Sequence, residues 1–179
     1  ATLSAGTYDE ESGDWTLTPA DLEGLTVTPA ANSDEDFELT VTATSTETDP
    51  DTGEQGTATT TGTMNVSVDP DADAPTLDVS DASGAEDTAI PLTISSELTD
   101  TDGSETLSLT ISGVPEGATL SAGTYDEETG DWTLTPDQLE GLTVTPAADS
   151  DEDFQLTVTA TTTDGTDTAT VSETLDVTV

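Results

Sequence analysis

The sequence predicts an all-β fold, a Greek-key β-sandwich present as tandem repeats set end to end. Three observations predict it. Apolar and polar residues alternate with a period of two, Gly, Pro, Asp and Ser clusters interrupt the alternation at short intervals, and one long stretch occurs twice. In Phe154–Ala160, the residues Phe154, Leu156, Val158 and Ala160 share one face, and Gln155, Thr157 and Thr159 take the other. The same phase holds for Leu107, Leu109 and Ile111, for Leu142 and Val144, and for Leu175, Val177 and Val179. Threonine suits the outward positions because it is β-branched yet polar. Strands are expected near 76–79, 89–94, 106–111, 119–121, 132–134, 142–145, 154–160 and 168–179. A single helical turn is expected over 136–141, with Pro at its start and Gly at its end. Short strands in this number and spacing read as a sandwich.

The repeat sets the domain boundaries. Ala1–Ala43 matches Ala118–Ala160 at a constant offset, with five substitutions. Further on, Met64–Val68 matches Leu175–Val179 at a shorter offset, so the first copy carries a longer loop around Glu47–Gly56. Residues 1–68 form a first repeat that lacks its N-terminal strands, the counterpart of Thr76–Gly117. Residues 69–75 form an acidic linker, and residues 76–179 form a second, complete repeat. Near-identity between copies points to recent duplication, which spacer arrays undergo readily. The chain starts inside a motif, with no signal peptide or initiating Met, and reads as an excerpt of something longer.

Composition excludes several functions. The 179 residues include no Lys, Arg, His or Cys, against 40 Asp and Glu. Nucleic-acid binding needs cationic groups to displace counterions from phosphates, and an anionic membrane surface repels this chain. No apolar run is long enough to insert into a bilayer. Side-chain salt bridges cannot form, and no disulfide staples the domain. Self-repulsion of this size opposes compaction until counter-ions bind, so folding is expected to be conditional on cations.

The acids are clustered. Glu86-Asp87, Asp100-Thr-Asp102-Gly103, Asp149-Ser-Asp151-Glu-Asp153, Asp164-Gly165 and Asp69-Pro-Asp71-Ala-Asp73 all fall between predicted strands or at their edges. In the first repeat the matching loops hold Asp34 and Asp36, and Asp49 and Asp51. A hard cation takes six to eight oxygens at about 2.3–2.6 Å, and such clusters supply them. An EF-hand does not fit, since position twelve from Asp100 is Ile111. The glycine-rich nonapeptide of β-helical calcium proteins is absent, and zinc lacks Cys and His ligands. Catalysis is not expected: only carboxylates, hydroxyls and two tyrosines are available, in repeat-wide loops.

These motifs carry a resemblance. The linker DPDADAP resembles the DxNDNAP linker of cadherin repeats, DTD at 100–102 its DxD motif, and TTDG at 162–165 its xDxG motif. SDEDF resembles the DRE motif, and GAEDT the Glu-containing motif near the first strand. The wording GAEDTAIPL, LTDTDGSETLSLTISGVPEGATLSAG and DWTLTPDQLEGLTVTPAADSDEDF is similar to the cadherin-like, Ig-like repeats of giant RTX adhesins exported by type I secretion. The resemblance implies Ca2+ bound between successive repeats by Asp34, Asp36, Asp69, Asp71, Asp73, Asp100, Asp102 and Asp164. Glu86, Asp151 and Asp153 are implied to serve the next junction. The chain departs from the family at the linker, where Ala72 replaces an Asp, and it lacks the Arg of DRE.

The function expected from this is a calcium-stiffened extender in the stalk of an extracellular, cell-surface bacterial adhesin. Its partners would be neighbouring repeats of the same chain. The alternative is a self-assembling filament or biofilm-matrix fibre, in which another copy completes the first repeat by strand exchange. A carbohydrate-binding module is a third reading, using Trp15 or Trp132 as a stacking platform. Against it, Trp132, Tyr125 and Phe154 read first as core or hairpin packing.

Overall fold

The computed structural model describes residues Ala1–Val179. The chain is all-β and divides into two compact units, Ala1–Asp69 and Pro70–Val179. The boundary falls inside the acidic linker, so that from Pro70 onward the linker belongs to the second unit.

In the first unit the strands are β1 (Thr2–Leu3), β2 (Thr7–Tyr8), β3 (Trp15–Thr16), β4 (Val27–Thr28), β5 (Phe37–Thr48) and β6 (Gln55–Val66). They pair only in twos: β1 with β4, β2 with β3 and β5 with β6. The β5–β6 hairpin is long, running in register from Phe37↔Val66 to Thr48↔Gln55. No residue of this unit is buried.

The second unit contains β7 (Thr76–Ser80), β8 (Ala82–Ser83), β9 (Ile90–Pro91), β10 (Thr93–Glu97), β11 (Thr106–Ser112) and β12 (Thr119–Leu120). They are followed by β13 (Thr124–Tyr125), β14 (Trp132–Leu134), β15 (Thr143–Thr145), β16 (Phe154–Asp164) and β17 (Asp167–Thr178). One sheet has the order β13-β14-β11-β16-β17-β8, a second β12-β15-β9, and β10 pairs with β7 alone. The inward faces enclose a core that includes Ile90, Ile94, Leu109, Ile111, Leu134, Val144, Leu156, Val158, Leu175 and Val177. Burying each such side chain contributes about 1.5–3 kcal/mol. The expected helical turn is a 3-10 turn over Pro136–Leu139, closed by the Thr135 N–H donating to Gln138 Oε1 at 2.9 Å.

The single strand expected over 89–94 is two strands in different sheets. Ile90 and Pro91 pair with β15, whereas Thr93–Glu97 pairs with β7. Leu92 between them is buried, and its N–H donates to Leu142 O at 2.9 Å. The segment keeps its period of two through the crossing, so Ile90, Leu92 and Ile94 all reach the core. The aromatic hairpin is as expected: Tyr125 pairs with Trp132, with ring centroids 5.4 Å apart, and Tyr8 with Trp15 at 5.3 Å. Ala82–Ser83 was not legible as a strand; it makes a short parallel pairing with Val177 and Thr178.

Candidate metal centre

Three strands of the second unit carry their inward phase to or past their own ends, and in each case the inward series closes on an acid. After β10 the buried or half-buried series Ile94, Ser96, Leu98 continues to Asp100. Before β11 the inward series Leu107, Leu109, Ile111 extends back to Glu105. At the end of β16 the series Val158, Ala160, Thr162 continues to Asp164. Topology sets these ends side by side. Thr106 pairs with Thr163, so Glu105 and Asp164 lie one step beyond the last β11–β16 pair. Glu97 pairs with Thr76, so β10 ends where the linker enters β7. All three acids are more than nine-tenths buried: Asp100 is 3%, Asp164 5% and Glu105 7% exposed.

The loop between β10 and β11 is shaped by its own polar groups. Asp100 Oδ1 accepts the Asp102 N–H at 2.8 Å, and Asp102 Oδ1 accepts the Ser104 N–H and the Ser104 hydroxyl, each at 2.8 Å. Gly103 has φ +101, a conformation that only glycine adopts without strain. These turns bring Asp100 and Glu105 inward and leave Asp102 exposed. The Ser104 N–H and hydroxyl, in that order, hold the Asp102 carboxyl below its usual value of 3.8.

The linker is attached to this end of the second unit at several points. The Asp73 N–H donates to Glu105 Oε1 at 2.6 Å, and the Ala72 N–H to Asp167 Oδ2 at 3.0 Å. The Thr99 hydroxyl donates to Ala74 O at 3.0 Å, and Pro75 is buried. Pro70 lies so close to Gly165 that a Cβ there would stand 3.0 Å from its Cγ.

Carboxylate oxygens of Asp73, Asp100 and Glu105 converge, all within 4.8 Å of one another. That is twice a calcium–oxygen bond of about 2.4 Å, the greatest separation two ligands of one ion can have. Glu105 Oε2 is buried and has no hydrogen-bond partner. A buried ionised carboxylate is strongly disfavoured unless it is paired or coordinates a metal. No Lys, Arg or His exists to pair with it. The donor set is all oxygen, as a hard divalent cation requires. The residues present therefore fit calcium.

Of the acids expected from the sequence, Asp73 and Asp100 belong to this group. Asp164 is buried at the end of β16 outside it, and Asp71 and Asp102 are exposed. In the first unit Asp69 is exposed, Asp34 is half-buried, and Asp36 Oδ1 accepts the Val68 N–H at 2.8 Å. At the other end of the second unit Glu86, Asp151 and Asp153 are exposed and form no comparable group. Asp153 Oδ1 accepts the Val179 N–H at 3.0 Å, repeating the role of Asp36, and Asp87 Oδ1 accepts the Asp149 N–H at 3.0 Å. Glu105 was missed because it belongs to none of the acidic pairs and clusters that supply the expected ligands, yet its phase with Leu107, Leu109 and Ile111 marks it as inward-facing. Scans against protein-family models, searches of curated proteins and searches of solved structures find no match to this chain.

Proposed function

We propose that this chain is an extender from the stalk of a secreted bacterial adhesin, made of cadherin-like repeats that calcium stiffens at their junctions. The observation that carries the reading is the convergence of the Asp73, Asp100 and Glu105 carboxylates in a chain without one cationic side chain. Two like charges 4 Å apart repel by about 4 kcal/mol at an effective dielectric near 20. A divalent ion supplies the opposite charge and a partner for the buried Glu105 Oε2, with exposed Asp73 completing the group from the linker. Asp73 contributes from the linker, whereas Asp100 and Glu105 contribute from the body of the second unit. Holding them together restrains the linker, and the linker prolines restrict φ further.

Small-angle scattering during a chelator titration tests this. The maximum dimension is expected to be largest and the distance distribution narrowest in calcium, and the chain to sample bent, shorter forms once calcium is removed. An identical maximum dimension in both conditions contradicts the reading.

Strand exchange into a filament remains the second reading, favoured by one observation. Val41 and Met64 on the β5–β6 hairpin are 50% and 53% exposed, whereas their counterparts Val158 and Leu175 are 0% and 1% exposed. Concentration-dependent sedimentation in calcium distinguishes a polymer from a monomeric rod.

A further inference from the structure

We infer that Glu105 is a metal ligand, and that with Asp73 and Asp100 it makes a divalent-cation site contained wholly within the second unit, which locks the linker without any group from the first. The inference rests on the reading above and goes beyond the residues that the cadherin resemblance assigns, among which Glu105 does not appear. Ala72 stands where that family places a linker carboxylate, and Glu105 brings one to the linker from the start of β11 instead.

The two oxygens of Glu105 do different things. Oε1 accepts the Asp73 N–H at 2.6 Å and so fixes the backbone of the linker. Oε2 is buried without a hydrogen-bond partner, although the side chain is only 7% exposed. Asp73 and Asp100 each place a carboxylate oxygen within 4.8 Å of a Glu105 oxygen. A structural role for Glu105 would call for one acceptor and no charge, and Gln would serve it better. A buried carboxylate with one unsatisfied oxygen, standing beside two further carboxylates, is the arrangement a hard cation resolves. Asp73 and Asp100 lie in Pro70–Val179, as does Glu105. All three carboxylates that define the site therefore come from one unit, which makes linker attachment a property of that unit.

The test uses the full chain and two readouts, calcium binding by calorimetry and thermal unfolding with and without calcium. Glu105→Gln keeps the acceptor for the Asp73 N–H and replaces the unpartnered oxygen with a donor. Its calcium-free form is expected to melt higher than wild type, because repulsion is relieved, while affinity at one site falls about tenfold or more. Glu105→Asp keeps the charge but shortens the reach; it should weaken binding without raising the calcium-free melting temperature. Asp34→Asn with Asp36→Asn should leave this site's affinity unchanged. If Glu105→Gln binds calcium as wild type does, Glu105 is not a ligand, and the calcium-stiffened reading stands without it. Loss of this site in the Asp34→Asn, Asp36→Asn variant overturns its containment in the second unit. If wild type binds no calcium, both the inference and the reading fall.

Discussion

Hydrogen exchange in calcium is expected to protect the amides of β16–β17 by a factor of about 10³ or more over those of β5–β6, although the two hairpins begin with nearly the same sequence. The cause is what lies on their inward faces. In the second unit Leu109 and Ile111 of β11 pair across from Ala160 and Val158 of β16, and Ile90, Leu92 and Ile94 complete the core. The first unit contains no counterpart of Ile90, Leu92, Ile94, Leu109 or Ile111, and none of its side chains is buried. A two-stranded hairpin without a covered apolar face is marginal in water, whereas amides inside a packed domain exchange only through openings that cost much of its 5–15 kcal/mol. The same contrast applies to one side chain in duplicate. Leu139 is 8% exposed and Leu22, its copy, 57%. Leu139→Ala is expected to destabilise its unit by about 2–5 kcal/mol, and Leu22→Ala to lie within about 0.5 kcal/mol of wild type. Equal protection of the two hairpins would mean that the first unit is covered by something outside Ala1–Val179.

Removing calcium is expected to lower the melting temperature of the second unit by about 5–10 °C. Extracellular calcium modules bind with dissociation constants on the order of 10⁻⁴–10⁻³ M. A tenfold excess over such a constant stabilises the folded state by about 1.4 kcal/mol per independent site. For a domain of this size, 1 kcal/mol corresponds to roughly 4–8 °C. Calcium-free protein in sodium chloride of matched ionic strength should recover only part of the loss. Monovalent salt screens exposed carboxylates well but reaches Asp100 and Glu105, both buried, poorly. Magnesium should recover less than calcium, since it requires a tighter octahedron and releases its water reluctantly. Calorimetry with chelator, sodium and magnesium as separate arms checks each step; full recovery by sodium chloride would reduce the effect to general screening.

Alternation made most of this fold legible. The inward positions of β11, β14, β15, β16 and β17 follow from a period of two, because each strand has one face on the core and one in water. What escaped depends on information that alternation does not carry. A segment that crosses between sheets at Leu92 looks like one strand, since both halves keep the same phase. The parallel pairing of Ala82–Ser83 with β17 involves two residues, too few to form a pattern. The acidic cluster was half legible. Asp73 and Asp100 stand in motifs, whereas Glu105 is a lone acid whose neighbours are Ser104 and Thr106. Only extending the strand's phase by one inward position, together with the register Thr106↔Thr163, places it beside the linker.

The most direct measurement is diffraction from crystals grown in calcium, with anomalous data locating the metal. The account predicts a divalent ion bonded at about 2.3–2.6 Å to oxygens of Asp73, Asp100 and Glu105. Those three carboxylates turned apart into solvent, with only water between them at saturating calcium, would contradict it.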